Sequence, residues 1–79
     1  MTAYSVEQLA RVRRLASSGE ARRIRMAFDI TQAEIAAEVG VSMVSVCNWE
    51  RGQQRPTGDQ AIKYLAVLDK LAALENAAA

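Results

Sequence analysis

Apolar residues recur along this chain at intervals of three and four, and no stretch shows the two-residue alternation or β-branched run of a strand. The pattern predicts an all-α protein with helices over residues 5–16, 18–28, 32–39, 43–50 and 58–75. A repeated device marks the helix starts: a Ser or Thr caps a free backbone N–H, and a Glu or Gln three residues later reaches back. It occurs as Ser17 with Glu20, Thr31 with Glu34, and Thr57 with Gln60. Gly40 and Gly52 stand where a helix end asks for a left-handed residue, and Pro56 closes the second of these loops.

The same spacing selects the interior. Ile35, Ala36 and Val39 form the inward stripe of the third helix, Val46 and Trp49 that of the fourth, and Ile24, Met26, Ala27, Phe28 and Ile30 are expected to form the floor beneath them. The last helix carries two apolar stripes, Ala61/Leu65/Leu68/Ala72 and Tyr64/Val67/Leu71/Leu74. That arc is wider than one packing surface needs. Either a second copy covers the surplus, or the first helix does, with Val6, Leu9, Val12 and Leu15.

Composition narrows the function. Seventy-nine residues leave room for one small core, so residues 1–79 read as a single domain with no space for a separate ligand-sensing unit. No apolar run is long enough to span a bilayer and no secretory signal opens the chain, so a cytoplasmic protein without membrane contact is expected. With no histidine, a single cysteine, no phosphate-cradling glycine loop and no paired-carboxylate cluster, the chain is expected to be no enzyme and to hold no metal or cofactor. Cys47 reads as a small, half-exposed residue and Trp49 as core rather than a stacking platform.

Net charge is +1, but it is unevenly placed. Residues 1–28 carry six arginines against two glutamates, whereas residues 29–50 carry Asp29, Glu34, Glu38 and Glu50 with no Lys or Arg. The arginines of the first helix either extend a phosphate footprint or solubilise that face.

The stretch from Gln32 to Glu50 holds two short amphipathic helices joined only by Gly40-Val41-Ser42. So brief a connection forces a steep crossing: Ala36 lets the axes approach, Gly40 opens the turn, Val41 plugs the corner and Ser42 caps the second helix. The corner presents that second helix outward, and a helix has the right width for the major groove of B-DNA.

Here the sequence resembles the Cro/lambda-repressor-like (XRE) helix-turn-helix family. The resemblance runs from Ile24 to about Leu68, with residues 32–50 as the helix-turn-helix core. It rests on Ile24-Arg25, Ile30-Thr31-Gln32-Ala33-Glu34-Ile35-Ala36, Gly40-Val41-Ser42, Val46, Trp49-Glu50-Arg51-Gly52 and Pro56. It implies a five-helix lambda-repressor-like domain with an added N-terminal helix, a recognition helix over 42–50, and binding to a double-stranded DNA operator as a two-fold homodimer. By the same resemblance Met43, Val44, Ser45 and Asn48 reach base edges. Gln32, Ser42, Arg51, Gln53, Gln54 and Arg55 hold phosphates, and Arg25 with Glu50 forms a structural ion pair. The family often places polar residues where Met43 and Val44 stand; apolar side chains touch thymine methyls instead, and Asn48 suits adenine. The expected function is that of a phage or prokaryotic transcriptional regulator at the nucleoid. The alternative is the antitoxin of a toxin pair, which would neutralise a protein partner and autoregulate.

Overall fold

The structure, a computed structural model, describes residues 4–78. Among them are five helices and no strand: α1 (Val6–Ser17), α2 (Glu20–Ala27), α3 (Gln32–Val39), α4 (Met43–Glu50) and α5 (Gly58–Ala78). α3 and α4 have the expected bounds, and α5 runs three residues past the expected 75. No helix is long and apolar enough to cross a membrane among the described residues.

The caps only partly follow the sequence pattern. Thr31 and Glu34 close their box: the Thr31 hydroxyl accepts the Glu34 N–H at 3.0 Å and the Glu34 carboxylate accepts the Thr31 N–H at 2.9 Å. Ser17 and Glu20 form none, because Ser17 is still the last residue of α1. Only Ser18 and Gly19 separate α1 from α2, and so tight a reversal needs the left-handed Gly19 (φ 90°) at the N-cap position. The Ser18 hydroxyl takes the Glu20 N–H instead, at 3.3 Å. Thr57 likewise has no side-chain cap among the described residues. A capping box needs helical dihedrals directly after the cap, and the left-handed φ of Gly58, 62°, interrupts them. A fourth match to the same spacing, Ser5 with Gln8, closes a box that starts α1.

All five helices contribute to one core of Val12, Ala16, Ala21, Ile24, Ile35, Ala36, Val39, Val46, Trp49, Ala61, Tyr64, Leu65 and Leu68. The expected floor is corrected in part. Ile24 is buried and Phe28 and Ile30 are half-buried, but Met26 and Ala27 are exposed. Along α2 and its C-cap the inward positions are Ala21, Ile24 and Phe28, three to four residues apart, and Met26 falls on the far side of that helix.

α1 packs along α5 and α2, with Val12 buried and Leu9 and Leu15 partly so, while Val6 stays exposed. Arg11 pairs with Asp69 at 2.9 Å. Arg23 on α2 bridges Glu20 at 2.7 Å and Glu75 at 2.9 Å, and its hydrogen bonds hold both carboxyls below their usual range. These pairs sit in solvent, where screening leaves each with little to contribute to stability. On α5 the first stripe faces the core and Tyr64 joins it. The rest of the second stripe emerges gradually: Val67 and Leu71 are half-buried and Leu74 is exposed. Together with Ile30, Ile35, Glu34, Glu38 and Lys70 they line an open groove between α3 and α5.

Tyr64 stacks on Trp49 with ring centroids 4.7 Å apart. Its hydroxyl is buried and finds no hydrogen-bond partner among the described residues, and burial pushes its pKa upward. An unsatisfied buried hydroxyl costs about 1–3 kcal/mol. Tyr64→Phe keeps the stacked ring and removes that penalty, so its thermal midpoint is expected to rise by roughly 5 °C. A fall of that size in a calorimetric melt would show the hydroxyl to be bonded.

Candidate nucleic-acid interface

The corner between α3 and α4 is built by local chemistry. Gly40 ends α3 at φ 87°, a conformation that a Cβ disfavours. The N–H groups of Gly40 and Val41 both donate to the Ala36 carbonyl, at 2.8 and 3.0 Å, which closes the turn. Val41 tucks partly into the core, and Ser42 caps α4 by accepting the Ser45 N–H at 3.2 Å. α3 and α4 pack against one another more extensively than any other pair of helices.

α4 turns Val46 and Trp49 inward and presents Met43, 53% exposed, and Val44, 62% exposed, to solvent. Ser45, Cys47 and Asn48 flank that face, each half-buried. The expected base and phosphate contacts differ in how free they are. The Ser42 hydroxyl is engaged as the cap and lies 3.2 Å from that of Ser45. Asn48 donates its side-chain amide to the Gln54 side-chain oxygen at 3.4 Å, and its carbonyl accepts the N–H groups of Gln53 and Gln54 at 2.9 and 3.3 Å. Arg51, Gln53, Gln54 and Arg55 are all exposed in the loop that follows.

Behind this face lies a polar hub. Arg25 donates to both carboxylate oxygens of Glu50, from Nε at 2.7 Å and Nη2 at 3.0 Å, and from Nη1 to the Ile30 carbonyl at 2.8 Å. Gln32 adds a third donor to Glu50 at 3.0 Å. The two charged side chains are only 12% and 3% exposed, and the hydrogen bonds to Glu50 raise the Arg25 pKa. One guanidinium thus joins α2, the loop before α3, and the last residue of α4. The Gln32 side-chain amide is thus engaged by Glu50, and its backbone N–H is one of those that a helix N-terminus leaves without an intrahelical partner.

Arg22, Thr31, Gln32, Met43, Cys47 and Arg51 line one concave surface between the start of α3 and the outer side of α4. Arg22, Arg51 and Arg55 enter no ion pair among the described residues. The sequence reading did not single out Arg22; its place one helical turn before Arg25 was the available signal. It also missed Arg13, whose guanidinium donates to the Pro56 carbonyl at 3.0 Å, since a backbone acceptor leaves no mark in the sequence.

The acidic run of residues 29–50 is dispersed in space. Glu50 is neutralised by Arg25, and Glu34 and Glu38 line the groove toward α5 rather than the concave surface beside α4.

A model of the Helix-turn-helix family matches residues 22–74. The chain belongs to the helix-turn-helix family. Its members of the Cro/lambda-repressor-like, XRE type are DNA-binding regulatory domains, not enzymes. The ligand of this helix-turn-helix protein is double-stranded DNA. The matched segment is wider at both ends than residues 24–68, and α1 lies outside it. No match is found among curated proteins or among solved structures.

Proposed function

We propose that residues 1–79 act as one helix-turn-helix domain, a cytoplasmic, nucleoid-associated transcriptional regulator that lays α4 in the major groove of an operator. The observation that carries this reading is the exposed face of Met43 and Val44, beside a concave surface that holds Arg22 and Arg51 and whose one glutamate, Glu50, is neutralised by Arg25. In this reading Met43, Val44, Ser45 and Asn48 face the bases. Arg51, Gln53, Gln54, Arg55 and Ser42 follow the backbone with Gln32, whose N–H at the start of α3 suits a phosphate.

The domain acts as a two-fold dimer. The open groove of Ile30, Val67, Leu71 and Leu74 supports this, because its rims carry opposite charges, Glu38 on α3 and Lys70 on α5. A two-fold operation sets each rim against its counterpart of opposite sign. The same groove also suits the toxin partner of an antitoxin.

Selection of bound duplexes from a random pool tests the proposal. Paired half-sites about one helical turn (~34 Å) apart are expected. Arg51→Ala should weaken binding to all duplexes alike and lower the salt slope by about one unit, whereas Asn48→Ala should relax one position in each half-site. A pool with no enriched sequence would overturn the regulator reading, and a monomer that gains apolar burial only with a toxin would replace it by the antitoxin one.

A further inference from the structure

The loop between α4 and α5 carries four of the proposed backbone contacts and is pinned from two sides. From the α4 side, Gly52 donates to the Trp49 carbonyl at 3.2 Å, and Gln53 and Gln54 donate to that of Asn48. From the other side, the Pro56 ring is fully buried and its carbonyl accepts Arg13 Nε at 3.0 Å in a half-buried setting. Arg13 belongs to α1, outside the segment matched by the family. The Tyr4 hydroxyl, bonded to Asp59, and Arg11, paired with Asp69, fasten the same helix to the start and middle of α5. Arg13, Ser17 and Trp49 line one cleft together with Gln53, Gln54 and Arg55.

We infer that α1 is a brace for the DNA-contacting loop and that Arg13 is its positioning residue: by holding the Pro56 carbonyl it fixes the path of residues 51–55 before DNA arrives. The inference rests on the DNA reading above. Among the described residues, no other side chain bonds the backbone of this loop beyond Gln54, and a preorganised loop binds more tightly than one ordered on contact. The role lies in the Nε hydrogen bond, not in the charge.

Three substitutions separate those two roles. Arg13→Gln keeps an N–H donor where Nε stands and removes the charge. Arg13→Lys keeps the charge and puts a methylene there, and Arg13→Met removes both. Binding to a labelled random-sequence duplex and to the selected duplex would be titrated over a range of salt, with amide hydrogen exchange followed in parallel. Arg13→Gln is expected to bind within about twofold of the parent with the same salt slope. Arg13→Lys and Arg13→Met should each bind both duplexes roughly tenfold more weakly, about one lost hydrogen bond's worth. Exchange should quicken at Gly52 to Arg55 and stay unchanged in α3. Parent-like affinity for Arg13→Lys with a loss in Arg13→Gln would overturn the inference, since the charge itself would then be meeting a phosphate. So would unchanged binding and exchange in Arg13→Met. If the parent binds no duplex, the DNA reading falls, and the exchange of Gly52 to Arg55 alone decides whether Arg13 fixes the loop.

Discussion

Glu50→Ala is expected to remove a large fraction of the stability of this chain. The carboxylate accepts three hydrogen bonds while only 3% exposed, and its loss strands the Arg25 guanidinium, itself 12% exposed, without a counter-charge. Breaking one side of a buried pair costs about 3–5 kcal/mol. A domain of this size is stable by roughly 0.05–0.15 kcal/mol per residue, so the loss is a large fraction of the total. The thermal midpoint should fall by roughly 15–30 °C in a circular dichroism melt. The double variant Arg25→Met/Glu50→Leu should recover much of it, because apolar replacement of both partners leaves no buried charge unpaired. A melt of Glu50→Ala within a few degrees of the parent would show that this hub does not hold the frame.

Val44→Glu should do the opposite, sparing the fold and abolishing DNA binding. Val44 is 62% exposed in the first turn of α4. A glutamate there favours the positive end of the helix and replaces a β-branched residue by a better helix former, so the melt should be unchanged or slightly higher. The new carboxylate would face the phosphates and acceptor-rich base edges of the groove. Like charges set together across an interface cost several kcal/mol, so affinity for the selected duplex should drop by about a hundredfold or more in a fluorescence anisotropy titration. Retention of parent-like affinity would mean that DNA meets some other face.

The parts of the fold that were legible in the sequence are those decided by neighbours along the chain. Thr31 and Glu34 cap because they lie three apart before an apolar run, and Gly40-Val41-Ser42 makes a corner because each residue type answers one local demand. Local rules failed where two elements met at close quarters. Ser17 has the right spacing to Glu20, yet the reversal at Ser18-Gly19 left it inside α1. Met26 has the right chemistry for a floor but sits on the wrong side of a two-turn helix. For the site, the pairing of Arg25 with Glu50 could be expected only through family resemblance, since the residues are twenty-five positions apart. The side-chain bonds of Gln32 to Glu50 and of Asn48 to Gln54, and the hold of Arg13 on a backbone oxygen, depend on tertiary placement. The clustering of negative charge along residues 29–50 was a poor guide to the surface, because folding turns those carboxylates in different directions.

The division of labour within α4 bears on how such a protein could be retargeted. Its packing is supplied by Val46 and Trp49 and its anchoring by Glu50, whereas Met43 and Val44 contribute little to the interior. Libraries randomised at those two outward positions should therefore consist mostly of folded members with the same melting behaviour as the parent. New DNA-binding preferences could then be screened without rescuing the scaffold each time.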